Sequence, residues 1–535
     1  MKNLSKAALI SFLFFVLIAN AQIRNVRVDT PGGGGNFQPC EVSITANPAN
    51  PEIVAAGAVL SFFYLSTDGG NTWSQSLMES NLGVWGDPAL AFDKVGNLYY
   101  SHLSNPPSGV GHWIDRIVVQ KSTDNGTNWD EGVGLNYTPP EKEQDKEWIT
   151  VDLTNTTSMN DVYVSWTEFD DYGSNDPEDS SKIYFAAFDK SFNKWSTPIR
   201  INDVSGNCLD GDDTVEGAVP AAGGNNTVYV SWAGPEGIVF DRSFDGGATW
   251  GNDIFVVDQV GGWDMSVSGV GRCNGMPITC CDISNTSPYG GNIYINWADQ
   301  RNGEENPDIF LIKSTDEGDT WGDVVKVNND NTTRAQFFPW MSVDPVTGFI
   351  YVVFYDRRNT TGKVTEVYLA RSKDGGDTFE NFLISESSFD FPNGFSTFFG
   401  DYNNITSYNG KIFPMWTRVN DDGNTLSVWT APIDDSELIV STEKEYVVTD
   451  YKLLQNYPNP FNPSTTISYQ LPEKSHVTLK VFDTIGQEVA TLLNEEVPAG
   501  VHEVNFDATH LATGTYVYKI YAGDFHDTGK MVLLK

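Results

Sequence analysis

One eight-residue pattern recurs five times along this chain, and it restricts the fold more than any other feature. Ser66 to Trp73 reads S-T-D-G-G-N-T-W and Ser122 to Trp129 reads S-T-D-N-G-T-N-W. Ser243 to Trp250 reads S-F-D-G-G-A-T-W, Ser314 to Trp321 reads S-T-D-E-G-D-T-W, and Ser372 to Phe379 reads S-K-D-G-G-D-T-F. A degenerate copy ends at Trp195. In such a turn the Asp side chain bonds turn amides, Gly supplies a positive φ, and the closing aromatic packs between sheets. These Asp residues therefore build hairpins and carry no chemistry. A β run ending in an aromatic precedes each copy, as in Val162-Tyr163-Val164-Ser165-Trp166 and Ile293-Tyr294-Ile295-Asn296-Trp297. A further run lies upstream, as in Trp148-Ile149-Thr150-Val151-Asp152. Each unit thus reads as four strands, and the chain as all-β. First strands begin near Glu41, Asp87, Lys146, Glu216, Met276, Phe338 and Asp401, which predicts seven units, or six if the first and last share one sheet. A single unit cannot bury both faces, so the units must stack in a ring.

The pattern S-x-D-x-G-x-T-W resembles the Asp box of sialidase-like β-propellers, where it joins the outer two strands of a blade. The resemblance covers residues 38 to 434 and implies a seven-bladed β-propeller, with six blades as the alternative. It also implies a protein that engages glycans. The family's F-R-I-P signature is missing, since Ile199-Arg200-Ile201 is out of place and lacks the Pro. Sialidase activity therefore does not follow from the fold.

The chain changes character after Pro432. An acidic, polar stretch leads to Leu454-Gln455-Asn456-Tyr457-Pro458-Asn459-Pro460-Phe461-Asn462-Pro463. The D-x-x-G-x-E-V turn at Asp483 to Val489, the strand Gly514-Thr515-Tyr516-Val517-Tyr518 and the basic end at Lys530 and Lys535 follow. Together they resemble the C-terminal sorting domain of type IX secretion. That implies a partner in the secretion machinery, passage through the periplasm, and release or attachment at the cell surface. At the other end, Lys2, Lys6, the apolar run Ala7 to Ile18 and Ala19-Asn20-Ala21 read as a signal peptide. The expected organisation is signal peptide 1–21, propeller 22–437, linker 438–450 and a small β-sandwich sorting domain 451–535.

The formal charge of −38 argues against a nucleic-acid partner, which needs Lys and Arg clusters. No mature segment is long and apolar enough to span a membrane as a helix, and the mature chain is expected to be a monomer. Export lets the five cysteines, Cys40, Cys208, Cys273, Cys280 and Cys281, oxidise; Cys208 or Cys273 is expected to pair with Cys280 or Cys281, and the odd count leaves at least one unpaired. The acidic stretches Asp170 to Asp179 and Asp210 to Asp213 offer oxygen ligands that suit calcium, without the spacing of an EF-hand loop.

In a propeller, first strands start and second strands end on the face where ligands bind. That places Asp87, Lys146, Glu216 and Asp401 together with Arg301, Tyr355, Arg357, Arg358 and Arg418. Arg272 and Arg334 lie in connections reaching the same face. Guanidinium groups suit an anionic sugar, so Arg301, Arg357, Arg358 and Arg418, with Lys146 and Asp401, are the candidate substrate-binding set. Asp87 and Glu216 are the candidate acid and base, and Tyr355 or Tyr402 the candidate nucleophile of an exo-glycosidase. The same Arg and Asp residues could instead pair with one another between blades. A non-catalytic module that binds glycan or protein is therefore the alternative function.

Overall fold

The computed structural model describes residues 23–31, 38–137, 142–439, 451–472, 474–497, 500–523 and 525–535. The expected signal peptide, the glycine run at 32–35 and most of the expected linker lie outside these residues. The chain divides after Leu438 into two compact units.

Among the described residues of the first unit, strands form seven antiparallel sheets of four or five strands. Their innermost strands are Ser43–Ala46, Gly86–Phe92, Glu143–Val151, Glu216–Gly224, Ile278–Cys281, Gln336–Val343 and Asn404–Tyr408. Each innermost strand packs against the next, and the seventh packs against the first, which closes the circuit. The first sheet has its own four strands. The seventh takes Val26–Arg27 onto its edge, where Val26 pairs with Thr430 and Arg27 with Trp429. The two ends of this unit are thus hydrogen-bonded in one sheet, and the first sheet stays separate.

Stacking explains the residue pattern. Leu98–Leu103 and Val162–Phe169 are buried at every position, because each has a sheet on either side. Trp166, Trp232, Trp297 and Trp416, on the second strands of the third, fourth, fifth and seventh sheets, are fully buried between sheets. The octapeptides tie the sheets together. In the first copy the Thr72 amide donates to Asp68 Oδ1 at 2.8 Å and the Gly70 amide donates to Ser66 Oγ at 2.8 Å. The same pair of bonds recurs in the fourth copy, from Thr320 to Asp316 and from Gly318 to Ser314. The closing Trp then meets an aromatic of the preceding sheet. Trp129 packs edge-on against Phe63, Trp250 against Phe185 and Trp321 against Phe240, with centroids 5.4, 4.9 and 5.1 Å apart. Gly126, at φ 84°, sits so close that a Cβ there would stand 2.3 Å from Phe63.

The second unit is built differently. Lys452–Leu453, Ser464–Leu471 and Gly500–Asp507 form one antiparallel sheet, and Glu488–Val497, Ser475–Phe482, Gly514–Ala522 and Phe525–Leu533 form another. Ser464–Leu471 alternates between buried and half-buried residues, so only one face is covered. Ile467, Leu479, Tyr518 and Met531 belong to one apolar cluster shared by the two sheets.

The disulfide expectation is corrected here: all five cysteines are free thiols. Cys280 and Cys281 are consecutive residues of one strand, so their side chains leave it on opposite faces. Cys280 faces the sixth sheet, where its thiol lies 3.5 Å from the Met341 carbonyl oxygen.

Candidate functional site

The innermost strands begin with a kink that recurs around the ring. Register slips between Gly86 and Ala89, Asp145 and Trp148, Glu216 and Val219, and Phe337 and Trp340. The residue inside each bulge is left-handed: Asp87 at φ 50°, Lys146 at 53°, Gly217 at 72° and Phe338 at 49°. Glu41, just before the first innermost strand, adopts φ 51°. Only Gly takes this conformation freely, and other residues lose on the order of 1 kcal/mol or more. Three of the strained residues are charged and buried, and strain of this kind concentrates where side chains must be aimed.

The bulges aim their side chains at one end of the ring's axis. Lys146 Nζ lies 2.6 Å from Asp401 Oδ2 and 3.8 Å from Asp87 Oδ2. Arg272 reaches in from a connection and donates through Nε to Asp401 Oδ1 at 2.8 Å and through Nη1 to Asp210 Oδ2 at 2.8 Å. Its Nη2 also bonds Asp401. The Tyr172 hydroxyl donates to Asp210 Oδ2 at 2.7 Å. Asp87 Oδ2 is buried with no hydrogen-bond partner among the described residues, and the Glu216 carboxyl lies against Asp210.

The carboxyls of this cluster divide into two protonation classes. Burial acts to raise the Asp401 carboxyl, but Lys146 and Arg272 hold it down at about 2. Asp210 is lowered by the same two cations against its own burial. Asp145 is pushed up to about 7 by burial, with Lys146 pulling the other way and Asp87 and Asp210 adding repulsion. Glu41 is raised well above the carboxylate range by burial and by Asp87. Glu216 is raised by burial and by Asp210. Too few cations are present for every carboxyl to ionise, so at neutral pH some hold protons.

A cavity of about 620 Å³ opens over this cluster. Its charged lining is Glu41, Asp87, Asp145, Lys146 and Arg272, and its aromatic lining is Trp85, Trp113, Tyr172 and Phe398. Trp113 is 40% exposed and stands edge-on to Trp85, with centroids 5.9 Å apart. Beneath the cluster, Trp148, Trp340 and Tyr402 close the axis of the ring, with Trp148 centroids 4.0 Å from Trp340 and 4.9 Å from Tyr402. Asp210, Glu216 and Asp401 sit behind the cavity wall.

The structure thus brings together Asp87, Lys146, Glu216 and Asp401 of the residues singled out in the sequence. It does not bring the others to them. Tyr355 is buried among Phe337, Phe338 and Phe399, and its hydroxyl donates to the Thr417 carbonyl at 2.6 Å. Burial also raises its phenol well above the ordinary range, which disfavours a tyrosinate nucleophile. Tyr402 lies under the cluster, where burial, Asp87 and Glu41 raise its phenol too.

The Arg set is engaged elsewhere. Arg301 pairs with Asp299 of its own sheet and covers Phe310. Arg358 pairs with Asp356 and bonds Asn329 and Asn381. Arg357 is buried against Phe337 and Phe391, and its Nε donates to Thr365 at 3.0 Å. Arg418 bonds Ser387 and borders a different cavity, lined also by Arg27 and Trp429. Arg301 and Arg358 thus find carboxylates of their own sheets, whereas Arg357 is held by aromatics and Thr365.

Asp145, Arg272 and the aromatic rim complete the site. The acidic stretches are engaged as well. Asp170 accepts from Lys142 and Lys182, and Asp210 from Arg272 and Tyr172. Among the described residues no three His, Cys, Asp or Glu side chains converge as ligands for a metal ion.

Residues 455–534 match the family model of the secretion system C-terminal sorting domain. This tail directs the protein by type IX secretion to the extracellular space or the cell surface. No curated protein matches the chain. Among solved structures, the NanB sialidase of Streptococcus pneumoniae is similar at 9% identity and a TM-score of 0.42, covering 72% of this chain and 84% of its own. An α-L-arabinofuranosidase of Fusarium graminearum is similar at 13% identity and a TM-score of 0.41, covering 65% and 93%. The endosialidase of phage phi92 is similar at 10% identity and a TM-score of 0.44, covering 90% and 80%.

Proposed function

We propose that this protein is a secreted glycoside hydrolase that acts on extracellular glycans, built as a seven-bladed β-propeller with a C-terminal β-sandwich. The observation that carries this reading is the cavity over the bulged strand ends. It combines an aromatic rim with a floor of buried carboxyls, of which Asp145 is pushed up to about 7 and Asp87 lies 3.8 Å from Lys146 Nζ. A sugar presents apolar C–H faces that stack on aromatic rings and hydroxyls that hydrogen-bond to carboxyls. Glycoside hydrolysis needs one carboxyl that holds a proton and another that carries charge.

Asp145 suits the general acid, because burial keeps its proton available up to about pH 7. Asp87 suits the charged partner, because Lys146 lies 3.8 Å away and its Oδ2 is free of hydrogen bonds. The Asp145 proton passes to the glycosidic oxygen as its bond to the anomeric carbon breaks. The Asp87 carboxylate faces the positive charge that develops there. Water then supplies hydroxide to the anomeric carbon, and its proton returns to the carboxyl pair. Lys146, Asp401 and Arg272 position these groups. The anionic-sugar expectation is replaced in this reading, since Arg301, Arg357, Arg358 and Arg418 do not line the cavity.

The test is hydrolysis of a panel of fluorogenic neutral, amino and acidic glycosides by the full secreted chain. Cleavage of one class, with an alkaline limb near pH 7 that Asp145→Asn removes together with activity, supports the reading. Silence across the panel, with retained binding to a glycan array, would establish a binding module instead.

A further inference from the structure

We infer that the cavity recognises a sugar carrying a free, positively charged amino group, and that Asp87 is the residue that reads it. This rests on the glycosidase reading for its substrate class, and on separate observations for the charge. Both cations at the site are already neutralised. Lys146 is bound to Asp401 at 2.6 Å, with Asp87 beyond hydrogen-bond reach at 3.8 Å, and Arg272 bridges Asp401 and Asp210. On the cavity side of these pairs stand Glu41, Asp87 and Asp145, with no further Lys or Arg among the lining residues. An incoming carboxylate or sulfate would meet three carboxyls and no free donor of positive charge. An ammonium group would meet acceptors.

Asp87 supplies the directional contact. It is 7% exposed, it lines the cavity, and its Oδ2 has no hydrogen-bond partner among the described residues. A buried carboxylate oxygen left in this state is costly unless a ligand completes it. The left-handed bulge at Asp87 holds the side chain in that position at a cost in backbone strain. An ammonium has three N–H donors, and Asp87 Oδ2 together with the side-chain carbonyl oxygens of its neighbours Glu41 and Asp145 offers acceptors for them. Trp85 and Trp113 add aromatic surface beside those carboxyls, which favours a cation over a neutral group.

Calorimetric titration of the full secreted chain at low ionic strength, using the methyl glycosides of glucosamine, N-acetylglucosamine, glucose and glucuronic acid, tests this directly. The glucosamine glycoside should bind about tenfold tighter than its N-acetylated counterpart, the expected size of one charge-assisted hydrogen bond. The glucuronide should bind weakest. Asp87→Asn, checked for folding by thermal melting, should bring the amino and N-acetyl sugars to equal affinity. Equal or tighter binding of the N-acetylated or acidic sugar to the unmodified chain overturns the inference, as does no binding of any of the four.

The result is separable from the hydrolase reading. Preferential binding of glucosamine without cleavage of any aminoglycoside upholds the inference and ends the enzymatic reading. Cleavage of neutral glycosides with no preference for the amine does the reverse.

Discussion

Asp68, Asp124, Asp245, Asp316 and Asp374 occupy one end of the ring's sheets, and Asp87, Asp145 and Asp401 occupy the other. The first group lies exposed or half-buried in turns that satisfy each carboxylate locally. The Thr320 hydroxyl and amide, for example, hold Asp316 at about 2. The second group is buried and its ion pairs come from other sheets: Lys146 lies 2.6 Å from Asp401 and 3.8 Å from Asp87, while burial pushes Asp145 up to about 7. Lys146 comes from the third sheet and Asp401 from the approach to the seventh. The same side chain thus serves two purposes. Where the partner is four residues away, a motif can be copied from sheet to sheet. Where the partners come from across the ring, each position has its own residue, and that freedom allows chemistry.

The contrast is open to attack from its strongest point downward. Asp87→Asn should lower turnover about a thousandfold with little change in melting temperature, as loss of a catalytic carboxylate does. Full turnover in that variant would leave the bulged end as purely structural. Lys146→Met should destabilise the ring by about 3–5 kcal/mol in urea unfolding, because Asp401 and Asp87 lose a buried counter-charge. A loss below 1 kcal/mol would mean water reaches the cluster freely. At the opposite end, Gly126→Ala should cost about 1–3 kcal/mol, since its Cβ would overlap the Phe63 ring. Its hydrolytic activity at 25 °C should be unchanged.

The smallest expected effect is the most diagnostic, because its sign differs between the ends. Asp145 has a folded value of about 7, above its unfolded value of about 3.9. Its contribution to stability is complete below about pH 4 and is lost as pH rises through about 7. Asp316 is held at about 2, below its unfolded value. Its contribution is present above about pH 4 and is lost as pH falls toward 2. Urea midpoints measured across pH should therefore flatten between about pH 4 and 7 in Asp145→Asn and between about pH 2 and 4 in Asp316→Asn. Changes in the same window for both would erase the distinction.

The two ends also differ in how far they can be read from residues alone. The octapeptides, the alternating strands and the seven starting points were legible because each recurs at a fixed place in its unit. Asp87, Lys146, Glu216 and Asp401 were found from that alignment. Asp145 was not, because simple alternation puts neighbours 145 and 146 on opposite faces. The bulge between Asp145 and Trp148 turns both toward the cavity. Arg301, Arg357, Arg358 and Arg418 were drawn in by position at strand ends. Arg301 and Arg358 pair with Asp299 and Asp356 of their own sheets and lie over Phe310 and Tyr368. Tyr355 misled for a related reason. It falls on the buried face of its strand, where Thr417 of the neighbouring sheet takes its hydroxyl. Trp113 lies in a connection outside any repeat, so no periodicity marks it.

Closure of the seventh sheet by Val26–Arg27 has a consequence for the timing of assembly. The Val428 amide donates to Asp29, 399 residues away in sequence, so the last sheet cannot be completed until almost the whole first unit has arrived. Lys146, Arg272 and Asp401 obey the same timetable, for Asp401 immediately precedes that sheet. An incomplete ring therefore leaves Lys146 without Asp401, the nearer of its two counter-ions, and has no finished cavity. Loss of the last sheet would disarm the site and unsettle the scaffold in one stroke, which couples competence to structural completeness during export.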